Sequence, residues 1–334
     1  MGSAITRAGV ARVEGDVGVN LRDLFPQHPV PEGWYAGKRI AVDGHNVAFR
    51  YLTSFRGKDG DLLRSRDGRA IGHLLGYVNL VRHLRERGAE PLVVWDGQVH
   101  PRKWATVEGR IQRRLEAALD AEAALAAGDH EAHQKFLRAT TYLDAKMIQD
   151  CSRLLEALGV AVVRADHDGE RYATALCHAG HADAVATEDY DALVAGAPAV
   201  LRKAGSQQPF LHHLTDLEGH GLSREQLRHI AILCGTDWND GVRGFGAKTA
   251  LKALKEQPDM RALIAQAHAG GEGRYHKLLR EAGLTLEAFD ELDAFIARMP
   301  TPTAPRAAQP DPGMAVAVAE EMGVSRERVL ACFC

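Results

Sequence analysis

Apolar residues gather along this chain in short runs, several of which end at an acid. Arg39 to Asp43 (RIAVD), Pro91 to Gly97 (PLVVWDG), Val160 to Asp166 (VAVVRAD) and Ala182 to Asp189 (ADAVATED) have the length and composition of buried strands. Between them the apolar positions recur every three or four residues. His73 to Gly88 sets Leu74, Tyr77, Val78, Val81 and Leu84 on one stripe and stops at a glycine, and Asp150 to Gly159 repeats the arrangement. Strands alternating with helices predict an α/β fold: a mainly parallel central sheet with helices on both faces. Such sheets bind ligands beyond the carboxyl ends of their strands. Asp43, Asp96 and Asp189 each stand at such an end, so acids far apart in sequence can converge.

Two segments break the alternation. Pro101 to Asp150 is helix-forming almost throughout, with Gly128-Asp129 dividing it into two helices and Arg102, Lys103, Arg110, Arg113 and Arg114 in its first part. It is long for a connection inside a compact sheet, which points to an appended functional arm; a solvated hairpin with ordinary surface charge is the plainer alternative. Farther on, an apolar helix through Ile232 and Leu233 stops at Gly235-Thr236-Asp237, and GVRGFGAKTAL (Gly241 to Leu251) leads into another helix. A glycine-rich turn feeding a helix N-terminus offers free N–H groups to a phosphate, here with Arg243 and Lys248 beside Gly244 and Gly246. The combination reads as a helix–turn–helix that grips a nucleic-acid backbone. Met299 to Gly313 is a Pro-rich loop, and residues 1–16 form an extension without periodicity.

Composition narrows the class. The 334 residues are 46% apolar and 25% charged, as in soluble globular proteins of two domains or of one large α/β domain with appendages. A net charge of −3 excludes a chain that is basic throughout, so nucleic-acid contact must come from local patches. No apolar run is long enough to span a membrane, and the N-terminus lacks the apolar core of a secretion signal. Cys151, Cys177, Cys234, Cys332 and Cys334 lack zinc or disulfide spacing and are expected as packed thiols in a reducing interior.

The acids carry the sharper message. Glu188, Asp189 and Asp191 crowd into four residues, each raising the cost of ionising the next. Asp168/Glu170 and Asp189/Asp191 are i, i+2 pairs, which share a side on extended chain but lie about 200° apart on a helix. Both pairs are therefore expected in loops or where a helix begins, and Asp168 alone reads equally well as an N-cap. Asp43, Asp96, Asp168, Glu170, Asp189, Asp191 and Asp237 form an oxygen-only donor set that suits Mg²⁺ or Mn²⁺.

The stretches GKRIAVDGHNVAFRYL, GRAIGHLLGYVNLVRHLRERGAEPLVVWDGQVHPRK, RADHDGERYATALCHAG, AVATEDYDALVAGAPAVLR and ILCGTDWNDGVRGFGAKTALKAL resemble, in order, the flap endonucleases. These belong to the structure-specific 5′-nuclease family that includes the xeroderma pigmentosum group G nuclease. The resemblance implies hydrolysis of DNA bearing a 5′ flap, in replication and repair, with 5′→3′ exonuclease activity beside it. It implies two Mg²⁺ ions about 4 Å apart that activate a water and stabilise the leaving 3′ oxygen. Asp43, Asp96, Asp168 and Glu170 match the positions around one ion, and Asp189, Asp191 and Asp237 those around the other. Lys103 and Arg110 match catalytic basic residues of a helical gateway that polarise the scissile phosphate, and Arg113 and Arg114 continue that face. Phe49 matches an aromatic that stacks on a base, a core phenylalanine being the alternative. Arg243, Gly244, Gly246 and Lys248 match a helix-two-turn-helix on duplex phosphates, where carbonyls at Gly241, Val242 and Phe245 would hold K⁺.

On that resemblance the chain divides into a loose extension (1–16), an N-terminal nuclease region with the start of a helical arch (17–127), the end of the arch with an internal nuclease region (128–222), a helix-two-turn-helix region (223–298), and a Pro-rich connector with a C-terminal helix (299–334). Four departures stand out. Asp168 replaces the usual Glu, and Leu80 replaces a frequent Arg of the DNA-binding face. Val17-Gly18 stands where the family starts Met-Gly, so the native protein is expected to begin at Val17 or to lose the extension. The final RERVLACFC lacks the tail that recruits a sliding clamp. A cytoplasmic monomer is expected, nucleoid-associated in an archaeal host. The competing readings are a 5′→3′ exonuclease or junction nuclease of the same family, a ribonuclease with a related sheet, and a non-catalytic DNA-junction-binding module, against which all seven filled acid positions argue.

Overall fold

The computed structural model describes residues 19–57, 61–307 and 309–334, so the expected start at Val17 lies outside the described residues. Strands His28–Pro29 (β1), Arg39–Asp43 (β2), Glu90–Trp95 (β3), Ala161–Arg164 (β4), Ala184–Ala186 (β5), Ala199–Arg202 (β6) and Phe210–His213 (β7) make one sheet in the order β1-β7-β6-β5-β2-β3-β4. The five strands from β6 to β4 run parallel, while β7 and β1 are antiparallel at one edge. The four strands expected from the pattern are all present. β6, β7 and β1 were not expected: each is at most four residues long, and β7 reads FLHH, too short and too polar to give a period.

The side chains of the parallel strands alternate between two cores. Ala41, Leu92, Val94, Val185 and Val200 face one, and Ile40, Val42, Val93, Ala186 and Leu201 the other. Helices Gly44–Ser54 (α1) and Gly72–Arg85 (α2) follow β2, and the stripe expected on α2 is buried in full. Leu80 is buried too, at 0% exposure, which corrects its placement on a DNA-binding face: on this helix, covered nearly all round, position 80 belongs to the core.

Trp104–Ala126 (α3) and His130–Ala139 (α4) form the projecting arm, split at Gly128 as expected, with Asp129 accepting from the Ala132 N–H to cap α4. The helical run breaks once more at residues 140–144 before Ala145–Ala157 (α5), Gly169–His178 (α6) and Asp191–Ala195 (α7). Arg224–Cys234 (α8) stops at Gly235, whose φ of +97° favours glycine. Ala247–Glu256 (α9), Met260–His268 (α10), Arg274–Ala282 (α11) and Leu286–Ala297 (α12) pack with α8 on the first core. The described residues of the Pro-rich segment up to Asp311 are a loop, but its last two, Pro312 and Gly313, already open a helix, and two helices rather than one end the chain: Pro312–Glu321 (α13), which packs on α5, and Arg326–Leu330 (α14). All five cysteines are free thiols. Cys151 and Cys332 are packed as expected, but Cys334 is exposed.

Candidate active site

The backbone places the acids before any side chain acts. β2, β3 and β5 are parallel neighbours at the point where the chain order reverses, so Asp43, Asp96 and Asp189 emerge at one edge. Asp43 ends β2 and caps α1, accepting from the Asn46 N–H (3.1 Å) and the Thr187 hydroxyl (3.2 Å). Asp168 caps α6 through the Arg171 N–H (2.8 Å), so the capping role and a place in the site are both realised. Asp96 accepts from the Gly169 N–H at 2.6 Å. A Cβ on Gly169 would stand 2.9 Å from that same carboxylate oxygen, so the position needs glycine. Glu170 lies in the first turn of α6 and Asp191 opens α7, as the i, i+2 spacing required.

All seven acids interact. Burial, then Asp96, Asp189 and Asp168, push the Asp43 carboxyl well above its ordinary range. Burial, then Asp189, Asp191 and Asp43, do the same to Glu170. Burial, then Asp237 and Asp189, raise Asp191, whose Oδ1 is buried without a hydrogen-bond partner. Lys103 meets this charge: its Nζ bonds Asp168 Oδ2 and lies 2.9 Å from Asp237 Oδ2, while Arg110 Nη2 lies 3.0 Å from Asp237 Oδ1. Burial alone would lower the Lys103 ammonium, but the two carboxylates outweigh it and raise it, while Asp168 is held below its ordinary value despite its burial. Three crowded acids pushed above their ordinary range, one with an orphaned buried oxygen, fit a site for divalent cations, which oxygen-only donors favour.

Four features singled out in the sequence lie outside the acid cluster. Glu188 turns out of the cluster to Arg50 (2.7 Å), Arg202 (3.5 Å) and the Lys203 N–H (2.8 Å), so the acid triplet splits in two. Phe49 is 40% exposed on α1 rather than in the core. Arg243 and Lys248 are exposed beside Gly244 and Gly246, while the Val242 carbonyl accepts from the Phe245 N–H (2.9 Å). Arg113 bonds only its own helix, through the Gly109 carbonyl, and Arg114 is lowered by burial and by Arg110.

Sequence reasoning missed the holders of the acids. Asn46 donates to Asp189 (2.9 Å) and accepts from the Glu188 N–H (2.9 Å). His45 Nδ1 accepts from the Asp96 N–H (3.1 Å), so its 3.3 Å approach to Asp96 Oδ2 is a contact of a neutral ring, consistent with a pKa lowered by burial. Both sit within three residues of Asp43, a signal available in the sequence.

Among the described residues, the compact group with metal-ligand chemistry is Glu225, His229 and Asp293, but it is already matched by cations. Arg228 and Arg261 bond Asp293 at 2.7 and 2.9 Å, and Arg261 bonds Glu225 at 2.7 Å, so it ties α8, α10 and α12 together as an ion-pair cluster. A cavity of about 520 Å³ between α2 and α5 contains none of the seven acids.

The acid cluster predicts a pH signature in the metal-free protein. Asp191, raised on folding, is protonated more in the folded than in the unfolded chain between its ordinary and raised values, so its penalty disappears as pH falls. Buried histidines such as His73, lowered to about 4, titrate in the opposite sense, so the effect is read as a difference. In EDTA at about pH 8, Asp191→Asn is expected to melt above wild type, with the gap narrowing as pH falls and closing only near the ordinary carboxyl value, about pH 4. Scanning fluorimetry showing a pH-independent gap would contradict this.

The same order of elements recurs in known proteins. Residues 28–117 match the XPG N-terminal domain and residues 159–237 the XPG I-region. Flap endonuclease 1 of Methanosphaerula palustris is 35% identical over 255 residues, covering 72% of this chain and 76% of that protein. Flap endonuclease 1 of Archaeoglobus fulgidus is 35% identical over 265 residues, 75% of this chain and 79% of that one. The solved flap endonuclease-1 from Methanococcus jannaschii superposes with a TM-score of 0.70 at 29% identity, covering 95% of this chain and 97% of the other. The catalytic core of Rad2, solved with DNA substrate, shares the fold at a TM-score of 0.69 and 18% identity, covering 94% and 96%. With its carboxylates at the ends of β2, β3 and β5, an arm beside them and this likeness over most of its length, the chain belongs to the flap endonucleases, metal-dependent DNA nucleases of the XPG family.

Proposed function

We propose that the seven acids hold two divalent cations, Mg²⁺ or Mn²⁺, and that the chain cuts 5′-flap DNA one nucleotide into the duplex. The observation that carries this is the mutual electrostatic crowding of the acids, with Lys103 paired to two of them, Asp168 and Asp237. When bound, the cations supply Lewis-acid stabilisation of the attacking and leaving oxygens of an in-line displacement. The residues of the chain do the rest. Asn46 and Gly169 fix the carboxylates of Asp189 and Asp96, and His45 fixes the Asp96 backbone, which limits the reorganisation needed on reaction. Lys103 and Arg110 place positive charge where the scissile phosphate gathers it. Phe49 offers a face to an unpaired base, and Arg113 and Arg114 extend the basic side of the arm. Arg243, Gly244, Gly246 and Lys248 present the start of α9 to duplex phosphates, and the carbonyls of Gly241, Val242 and Phe245 hold K⁺ there.

Labelled single-flap, double-flap, nicked and single-stranded DNAs with Mg²⁺ test this directly. Strand-specific cuts at the flap base are expected. Degradation only from blunt or recessed ends would favour the exonuclease reading.

A further inference from the structure

Lys103 reaches the carboxylates across an aromatic face. Its Nζ lies 4.4 Å from the ring centroid of Trp238, the residue directly after Asp237. The indole is wedged in place, with Phe295 of α12 packed edge-on at 4.8 Å and His100 at 5.5 Å, while the Trp238 backbone N–H donates to Thr236 Oγ1 at 3.1 Å and fixes the turn that carries the ring. Phe295 is pinned in turn by Arg171, whose guanidinium lies 4.6 Å over its ring and donates to its carbonyl at 2.8 Å. His100 opens the turn that carries Lys103, and Arg171 directly follows Glu170. The box therefore joins the three segments that bring Lys103, Asp168 with Glu170, and Asp237 to the site.

A lysine is a point charge on a flexible four-carbon stem, so two carboxylates alone do not fix its direction. Indole is the strongest of the aromatic faces for an ammonium within about 6 Å. Divalent cations compete with Lys103 for Asp168 and Asp237; the indole face is a partner they do not take. We propose that Trp238 is a positioning residue that keeps the Lys103 ammonium at the reacting phosphate when the carboxylates are engaged elsewhere. This rests on the role given to Lys103 above.

The test is single-turnover cleavage of a flap substrate, with DNA affinity measured in parallel. Trp238→Leu is expected to lower the rate about 10–30-fold while the DNA Kd stays within about 2-fold, and Trp238→Tyr to recover to within about 3-fold of wild type. In a Lys103→Ala background, Trp238→Leu is expected to change the rate by less than about 2-fold. The same loss in both backgrounds, or a loss confined to Kd, overturns the inference and leaves the active-site assignment standing. Lys103→Ala cutting at the wild-type rate overturns the assignment of Lys103 itself. Circular dichroism and melting curves accompany each variant. Should Trp238→Leu fail to fold, Trp238→Phe carries the test: an expected loss of about 3-fold that vanishes in the Lys103→Ala background.

Discussion

Asp189→Ala is expected to abolish cleavage, by at least about 10³-fold, while flap DNA still binds within about 3-fold of wild type. Asp189 is among the neighbours that raise Asp43, Glu170 and Asp191, so it sits at the electrostatic centre of the cluster. Its carboxylate is also oriented, by the Asn46 amide at 2.9 Å, which is what a ligand needs and a solvated acid does not. Removing it takes one charge from a crowded set. The metal-free variant should therefore melt above wild type even as activity disappears, the pattern of a site built for function at a cost in stability. Single-turnover cleavage and a melting curve in EDTA measure both halves. Wild-type cutting, or a variant less stable in EDTA, would contradict the reading.

Lys103→Ala is expected to slow chemistry about 10²–10³-fold, the range for losing one group that stabilises developing charge. DNA affinity should change little, because Lys103 is turned inward to Asp168 and Asp237 rather than displayed on the arm. Its effect on the metal-free protein runs opposite to that of Asp189→Ala: Asp168 loses the cation that holds it below its ordinary value, and the folded state loses stability. Added Mg²⁺ should restore much of it. Equal losses in rate and in affinity would reassign Lys103 to simple phosphate contact.

These opposite signs follow from features that differ in how well the sequence displays them. The strand ends are visible because β-branched runs stop at Asp43, Asp96 and Asp189, and a parallel sheet brings such ends together whatever their separation along the chain. The division of the arm at Gly128 is visible for a comparable reason, a left-handed glycine followed by a capping acid. Direction is not visible. Glu188 is one residue from Asp189, yet it pairs with Arg50 and Arg202, because the chain bends after β5 and turns the two side chains apart. Leu80 sits between an exposed-looking Asn79 and the stripe residue Val81, and only tertiary packing shows that α2 is covered nearly all round. Trp238 could be seen as the neighbour of an acid, but its contact with Lys103 spans 135 positions, from 103 to 238, and no local pattern reports it.

The central claim is that the seven carboxylates are tolerable together because paired cations neutralise them. Anomalous scattering from Mn²⁺-loaded crystals of the intact chain tests it most directly. Two peaks about 4 Å apart, among Asp43, Glu170, Asp189 and Asp237, are predicted; peaks only at Glu225, His229 and Asp293, or none beside the seven acids, would contradict it.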